Sequence, residues 1–324
     1  MHVGKLLGAI LFGLAATTAH AAGLRTLDIP ADANGPAIKG AVWYPCSQPP
    51  GRVDLGLITL PAVKDCALPG EGLPLILISH GRSGSFVGHH DIAEVLADAG
   101  FVVAAINHPG DTASDLSRTE QLSIFVERPN HIRRLIDFML GASALAANID
   151  RDRIGFFGFS RGGHTGLVLI GAKSDFASAA SLCQQSTAPF CAQILRREFP
   201  AQPMTHDPRI KAAVIADPRI NFFTADSFAT IKIPVQLWAS EYGGDGVLPH
   251  SVDLVDNNLP AKHEYHAVSN AGHFAFLAPC APEWAKEIPE LCVDKNGFDR
   301  VAFHTQFNAN ALAFFRTHLP KASH

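Results

Sequence analysis

The chain has 324 residues, of which 47% are hydrophobic and 17% are charged, and its formal net charge is -4. The sequence has no run of like charges and no basic stripe, so it lacks the charge pattern of a nucleic-acid-binding protein. The length could hold two average domains, but α/β enzymes of this size commonly form one.

The N-terminus has the three parts of a secretory signal peptide. Residues 1–5 carry one lysine, residues 6–16 form a short apolar run, and Ala19-His20-Ala21 supplies a small-x-small cleavage pattern. We predict cleavage after residue 21, a secreted or periplasmic protein, and a single mature domain at 22–324; the alternative is a retained N-terminal anchor. No later stretch approaches the length of a membrane helix, so stable membrane insertion is not expected.

The first half of the mature chain alternates strand-like and helix-like segments. Apolar runs mark the strands, and apolar residues spaced by three and four positions mark the helices. This alternation predicts an α/β fold with a mostly parallel central sheet and helices on both faces. The strands are expected at 37–44 (near a sheet edge), 73–79, 101–106 and 154–157, and the helices at 91–99, 129–140 and 167–172.

The second half continues with strands at 210–216, 233–240 and 263–268 and a closing helix at 303–318. Residues 173–208 interrupt the alternation with two cysteines, a charged cluster and several prolines. An insertion at this point would lie over the carboxyl edge of the sheet, so we interpret it as a cap or lid. The alternative is a surface excursion with no role in substrate access.

A sharp turn joins the strand at 154–157 to its helix. Residues 158–162 read Gly-Phe-Ser-Arg-Gly, the G-x-S-x-G pattern of a nucleophile elbow in its expected strand-turn-helix context. The two glycines leave room for the turn, and Ser160 at its apex would project its hydroxyl. The following helix would direct unpaired N–H groups at an acyl oxygen. Ser160 is the predicted nucleophile; the alternative is a glycine-rich surface turn.

A serine hydroxyl needs a base, and the base needs an orienting carboxylate. His273 follows the last strand after a glycine and is the predicted base. Asp245 follows the strand at 233–240 and is the predicted acid, with Glu241 as a more distant alternative. The order Ser160, Asp245, His273 is that of the α/β-hydrolases.

Six short motifs extend over nearly all of the mature chain. They are Val42-Trp43-Tyr44-Pro45, Ser79-His80-Gly81, Asn107-His108-Pro109-Gly110-Asp111, Gly158-Phe159-Ser160-Arg161-Gly162-Gly163, Pro234-Val235-Gln236-Leu237-Trp238 and Ala271-Gly272-His273-Phe274. Together they resemble the secreted branch of the predicted dienelactone hydrolases and the related platelet-activating-factor acetylhydrolase-like esterases. The resemblance implies an α/β-hydrolase fold, ester hydrolysis without a cofactor, and an oxyanion hole formed by the backbone N–H groups of Arg82 and Arg161.

This chain departs from parts of the family pattern. True dienelactone hydrolases use a cysteine nucleophile and are cytoplasmic, whereas this chain has Ser160 and an export signal. In the acetylhydrolase branch the acid follows the preceding strand, which makes Asp217 the alternative to Asp245. Asp217 also has an ordinary interpretation, as the cap of a strand end before a proline turn.

The six cysteines fit an exported protein. Because they fall into three couples that are local in sequence, we predict three disulfides, each closing a loop: Cys46 with Cys66, Cys183 with Cys191, and Cys280 with Cys292. No C-x-x-C or other metal-ligand spacing occurs, so no metal site is expected. His80 is expected to fix the oxyanion loop, and His89-His90 to form a solvated helix start.

We predict a secreted serine ester hydrolase that forms an acyl-enzyme and acts on short to medium acyl or aryl esters. Ser83, Phe159 and Phe274 are candidate substrate-binding residues, as is Phe276, whereas Trp238 is better explained by core packing. One alternative is a hydrolase of larger esters, either phospholipid acetyl groups or polyesters. Another is a non-catalytic binding protein with the same fold. The sequence does not indicate the oligomeric state.

Overall fold

We describe a computed structural model of the protein over residues 21–260 and 262–321. The predicted signal peptide, apart from Ala21, lies outside the described residues. The strands are β1 (Gly23–Ile29), β2 (Ile38–Tyr44), β3 (Val53–Asp54), β4 (Thr59–Leu60), β5 (Val63–Lys64), β6 (Leu73–Ser79), β7 (Val102–Ile106), β8 (Ile149–Phe159), β9 (Ile210–Ala216), β10 (Val235–Ser240) and β11 (Glu264–Val268). The α-helices are α1 (His90–Asp98), α2 (Ile124–Leu140), α3 (Arg161–Leu169), α4 (Ala180–Cys183), α5 (Pro189–Leu195), α6 (Asp253–Asp256), α7 (Pro282–Glu287), α8 (Pro289–Cys292) and α9 (Arg300–His318).

One large sheet organises the molecule, with its strands in the order β11-β10-β9-β8-β6-β7-β2-β1-β5. Neighbouring strands from β11 to β7 are parallel, while β2 is antiparallel to both β7 and β1. The apolar runs in the central strands are buried on both faces, as parallel strands between two helical layers must be. The predicted fold class is confirmed.

The two helical layers bury alternate residues of the same strands. On one face, α2 and α3 pack with Leu75 and Leu77 of β6 and Phe156 of β8. On the other face, α1 and α9 pack with Ile76 of β6 and Phe157 of β8. Because side chains alternate along a strand, each apolar run supplies both cores. The sheet therefore holds the carboxyl ends of β6, β8, β9 and β10 side by side as a rigid platform.

The structure differs from the sequence prediction at several elements, including β1, α2 and α3. The strand β1 was not predicted, because polar residues interrupt its short alternation, and it leaves β2 inside the sheet instead of at its edge. The helix α2 begins at Ile124 and contains Pro129, which the sequence suggested as its start. A proline in the second turn of a 17-residue helix removes a single backbone hydrogen bond, which the packed apolar face offsets. The helix α3 begins at Arg161, six residues before the predicted position.

The insertion at 173–208 forms a small helical subassembly that includes α4 and α5. Its Phe190 and Ile194 join Leu122, Phe125 and Phe222 in a third apolar cluster. The interpretation of this segment as a lid stays a prediction.

All three predicted disulfides are confirmed. Cys46 is bonded to Cys66, Cys183 to Cys191, and Cys280 to Cys292, with sequence separations of 20, 8 and 12 residues. Each bridge closes a local loop, and the second joins α4 to α5 within the insertion. None of the helices in the described part of the chain is long and apolar enough to cross a membrane.

Candidate active site

Ser160 forms the turn between β8 and α3. Its backbone has φ 56° and ψ -117°, a region that non-glycine residues rarely adopt and that costs about 1–3 kcal/mol in local strain. A Cβ atom on Gly158 would lie 2.2 Å from the carbonyl oxygen of Gly162, and one on Gly162 would lie 1.9 Å from that of Ser79. The turn therefore requires glycine at both positions.

The hydroxyl of Ser160 contacts the side chain that the sequence suggested as its base. Its Oγ lies 2.9 Å from Nε2 of His273, although 113 residues separate the two in sequence. On the other side of the ring, Nδ1 of His273 lies 2.6 Å from Oδ2 of Asp217. Because a carboxylate can only accept, Nδ1 carries the proton, which leaves Nε2 free to accept the hydroxyl proton of Ser160.

Asp217 is fully buried at the carboxyl end of β9. Its Oδ1 accepts from the N–H of Ser240 at 2.9 Å, and its Oδ2 accepts from the Ser240 hydroxyl at 2.7 Å as well as from His273. Three donors fix the carboxylate at the end of the two adjacent strands β9 and β10. Asp217 thus has the contacts of an orienting acid.

The structure corrects the preference for Asp245 as the carboxylate beside His273. The Oδ1 of Asp245 instead pairs with Nη2 of Arg82 at 2.7 Å. Glu241, the more distant alternative, accepts from the N–H of Asn270 at 2.7 Å and is exposed. In the loop after β10, two glycines with positive φ, at 243 and 244, precede Asp245, and its carboxylate reaches Arg82 instead of His273.

An aromatic wall fixes the ring of His273. Phe159 stacks on it with centroids 4.6 Å apart and planes 29° apart, and Phe159 is itself 2% exposed. Phe276 is completely buried, and Trp238 is a core residue whose Nε1 donates to Gln236, as the packing interpretation predicts. Phe274 is half-buried beside the second apolar core. Of the candidate pocket aromatics, Phe159 and Phe274 both contact the His273 ring, the second with centroids 5.5 Å apart.

The loop after β6 lies against the elbow. A Cβ atom on Gly81 would be 3.3 Å from Cβ of Ser160. The buried guanidinium of Arg128 donates to the carbonyl oxygens of His80 and Gly81. In the described part of the chain, the N–H groups of Arg82 and Arg161 have no hydrogen-bond partner. They are the two groups that the family resemblance assigns to the oxyanion hole.

Asp111 links this loop to the elbow. Its Oδ2 accepts from Nη1 of Arg128 at 2.9 Å and from Nη1 of Arg161 at 2.8 Å, while its Oδ1 accepts from the N–H of Ser83 at 3.1 Å. Both arginines and the aspartate are buried. The Asp111 carboxylate compensates two buried guanidinium groups. Its removal would leave two unpaired buried charges and would strongly destabilise the fold. The candidate residue Ser83 contacts this network through its backbone N–H.

His80 is neutral and holds the loop, as predicted. Its Nδ1 donates to the Gly81 carbonyl at 2.7 Å, and its Nε2 accepts from the N–H of His108 at 3.3 Å. His108 is in turn hydrogen-bonded through Nε2 to Ser79 and through Nδ1 to Nδ1 of His131. Burial, with Arg128 nearby, lowers the pKa values of His80 and His131 to about 3 and that of His108 well below its ordinary value.

These neutral histidines predict acid-sensitive stability. Between the folded pKa and the ordinary value of about 6.5, the unfolded chain binds more protons than the folded one, so the free energy of unfolding falls as the pH drops. Each such histidine contributes a slope of up to about 1.4 kcal/mol per pH unit. In urea denaturation from pH 7.5 to 5, His131→Gln should reduce the slope, whereas the exposed His250→Gln should not. A wild-type free energy of unfolding that is constant below pH 6.5 would contradict this.

Comparisons with known proteins agree with the fold. The family model for platelet-activating factor acetylhydrolase, isoform II, matches residues 51–133. No curated protein sequence matches the chain significantly. Among solved structures, the ferulic acid esterase from Streptomyces cinnamoneus superposes with a TM-score of 0.64 and 17% sequence identity, covering 95% of each chain. This protein has the α/β-hydrolase fold. Sequence similarity to the acetylhydrolase model is limited to a segment that contains the loop after β6.

Sequence reasoning missed two residues around the candidate site. Asp111 lay within a motif used for the family resemblance, yet its partners come from α2 and the elbow and have no local sequence signal. Arg128 was hidden because the sequence placed it just before the helix that contains it. His89, expected to be solvated, is 2% exposed and packs edge-on against Phe157 and Phe159. Within the described residues, no cluster of side chains suited to a metal ion is found.

Proposed function

We propose that the protein is a serine carboxylic ester hydrolase with Ser160 as nucleophile, His273 as base and Asp217 as orienting acid. The observation that carries the proposal is the unbroken hydrogen-bonded chain from the Ser160 hydroxyl through His273 to Asp217, at the apex of a strained elbow. Strain at one residue and burial of the other two are costs that a purely structural turn would not require.

The proposed reaction has two acyl-transfer steps. Nε2 of His273 takes the hydroxyl proton as Ser160 Oγ attacks the ester carbonyl carbon, and the resulting oxyanion is stabilised by the N–H groups of Arg82 and Arg161. His273 then returns the proton to the departing alcohol, which leaves an acyl-enzyme. Water, deprotonated by His273, attacks the acyl carbon, and the released Ser160 oxygen regains the proton. The scheme moves every proton through His273 and calls for no cofactor.

We propose short to medium acyl or aryl esters as substrates. The structural similarity to a ferulic acid esterase favours an aromatic ester, and the family match to an acetylhydrolase favours a short acyl group. Phospholipid acetyl groups are the second candidate, supported by the same family match. The preorganised Ser160–His273 contact speaks against a non-catalytic binding protein. Three disulfides support export to an oxidising compartment, secreted or periplasmic.

Access to the nucleophile is narrow, since Ser160 and His273 are each 2% exposed. Arg82 lies at the rim and bridges two loops by pairing with Glu120 at 3.1 Å and with Asp245. The backbone oxygen of Asp245 also accepts from Arg219, whose guanidinium lies 5.8 Å from the Phe190 ring of the insertion. This connection between the rim and residues 173–208 supports a role for the insertion in substrate access.

The proposal is tested by two independent measurements on the purified, disulfide-bonded protein. A fluorophosphonate should label Ser160, as located by peptide mapping, because its hydroxyl lies at the elbow beside a histidine that a buried carboxylate orients. A series of nitrophenyl esters of increasing acyl length, run beside an aryl diester and a short-chain phospholipid, should show turnover that is highest for short acyl or aryl groups. Absence of both labelling and turnover would refute the proposal and favour a binding role.

A further inference from the structure

A second histidine–aspartate pair lies directly behind the turn that carries His273. That turn is a 3-10 helix over His273–Phe276. His304, on α9, donates from Nε2 to the carbonyl oxygen of Ala275 at 2.8 Å. Its Nδ1 lies 2.6 Å from Oδ2 of Asp91, in the first turn of α1. His304 therefore connects the turn to two helices on the same face of the sheet.

The hydrogen bonds assign both protons of His304. The Ala275 carbonyl can only accept, so Nε2 carries a proton. Asp91 also accepts from Nδ2 of Asn308, one helical turn beyond His304, at 2.7 Å. Although burial opposes ionisation, the hydrogen bond and charge of His304 hold the pKa of Asp91 below its ordinary value. Asp91 is thus a carboxylate, and Nδ1 of His304 also donates. The pair is an imidazolium and a carboxylate, with exposures of 4% and 17% for the two side chains.

The neighbouring contacts also hold the His273 turn. The N–H of Ala278 donates to the carbonyl oxygen of Gly88 at 3.1 Å. On the catalytic side, the N–H of His273 donates to the Gly243 carbonyl at 2.7 Å, and the His273 ring contacts Asp217 and Ser160. The rear side of the turn depends on α1 and α9.

We propose that His304 is a positioning residue that sets the reach of His273 toward Ser160 by holding the Ala275 carbonyl. This inference rests on the proposed function, because it concerns the same base. The route is short: Ala275 is two residues from His273, and a rigid 3-10 turn transmits displacement of one carbonyl to the imidazole. A charged donor makes a shorter and stronger bond than a neutral one. Asp91 keeps that charge in place without contacting the reacting groups.

Three variants separate the Ala275 contact from the ion pair. His304→Asn keeps a donor near the Nδ1 position for Asp91 but loses the donor to Ala275. His304→Gln places its amide near the Nε2 position and keeps the donor to Ala275. Asp91→Asn breaks the ion pair, yet leaves a neutral His304 that can still donate from Nε2. If His304 and Asp91 only stabilised the fold, all three variants would have the same kcat per folded molecule.

We expect His304→Asn to lower kcat by about tenfold to a hundredfold with KM nearly unchanged, because a displacement of about 1 Å has that effect on a catalytic group. His304→Gln and Asp91→Asn should lose less than about fivefold in kcat, since both keep the base in place. The rate of Ser160 labelling by a fluorophosphonate, measured beside kcat, should follow the same order. It decides the comparison even if none of the esters tested is a substrate.

The control is His263→Asn, which breaks a comparable pair with Asp256 (2.8 Å) at the amino end of β11, away from the site. It should leave kcat at the wild-type value. The proposal is overturned if folded His304→Asn keeps wild-type kcat and labelling, or if His304→Gln falls as far as His304→Asn. If His304→Asn does not fold, the other two variants decide: a large loss of kcat in both overturns the proposal, and retention in both supports it. If the wild-type protein hydrolyses esters and all variants have the same kcat, the inference about His304 is refuted and the proposed function stands.

Discussion

Ser160→Ala should lower kcat for ester hydrolysis by about a million-fold, because removal of the nucleophile disables a triad as completely as removal of all its members. The fold should persist. The side chain makes no capping hydrogen bond to α3, and its contact with His273 is the interaction that would be lost. Alanine at φ 56° meets the same strain as serine, so thermal unfolding should shift little.

The measurement is kcat on the best nitrophenyl ester, with thermal unfolding recorded on the same samples. Ser181→Ala, on the exposed surface of the insertion helix α4, is the matched control and should retain wild-type kcat. Folded Ser160→Ala protein that keeps even one-hundredth of the wild-type kcat would rule out Ser160 as the nucleophile. A residual rate about 10³- to 10⁴-fold above that of the uncatalysed reaction in water is still compatible with the proposal, because substrate binding and the oxyanion hole alone give that acceleration.

The parts of the site that were predictable have strong local signals. The elbow around Ser160 is marked by glycines two positions before and two positions after the serine, and His273 follows a recognisable strand end. The central strands were also predictable, because a strand that is buried on both faces has an uninterrupted apolar run in its sequence. Each of these features depends on residues close in sequence, so a single chain is enough to find them.

The acid could not be found in this way. Asp217 and Asp245 both follow strands, and both have positive φ, at 42° and 44°. Which of them faces His273 depends on β9 lying between β8 and β10 and on the direction in which each loop leaves the sheet. The anchoring groups Arg128, Asp111 and His304 were missed for the same reason, since their partners come from distant segments.

Asp217→Asn is the sharpest test of that corrected assignment, and we expect it to lower kcat by about ten-thousand-fold. The asparagine amide would keep the shape of the site, but it can accept at one atom only. The N–H and the hydroxyl of Ser240 both donate to residue 217, so the amide oxygen would accept from Ser240 and the amide N–H would face His273. Nδ1 of His273 would then have to accept, which places the ring proton on Nε2. The imidazole would then face Ser160 as a donor and could not act as its base.

Asp245→Asn is the matched comparison, with the same change of atoms at the rim. It weakens the pair with Arg82, in which the two side chains are 38% and 20% exposed, and pairs this accessible contribute about 0–1 kcal/mol. A change in kcat of less than about tenfold follows from that range. The two variants are compared by kcat and by the fluorophosphonate labelling rate at pH 8, with unfolding midpoints to confirm the fold. The assignment fails if Asp245→Asn shows the greater loss, because the carboxylate on the rim would then have to reach His273 in the working enzyme.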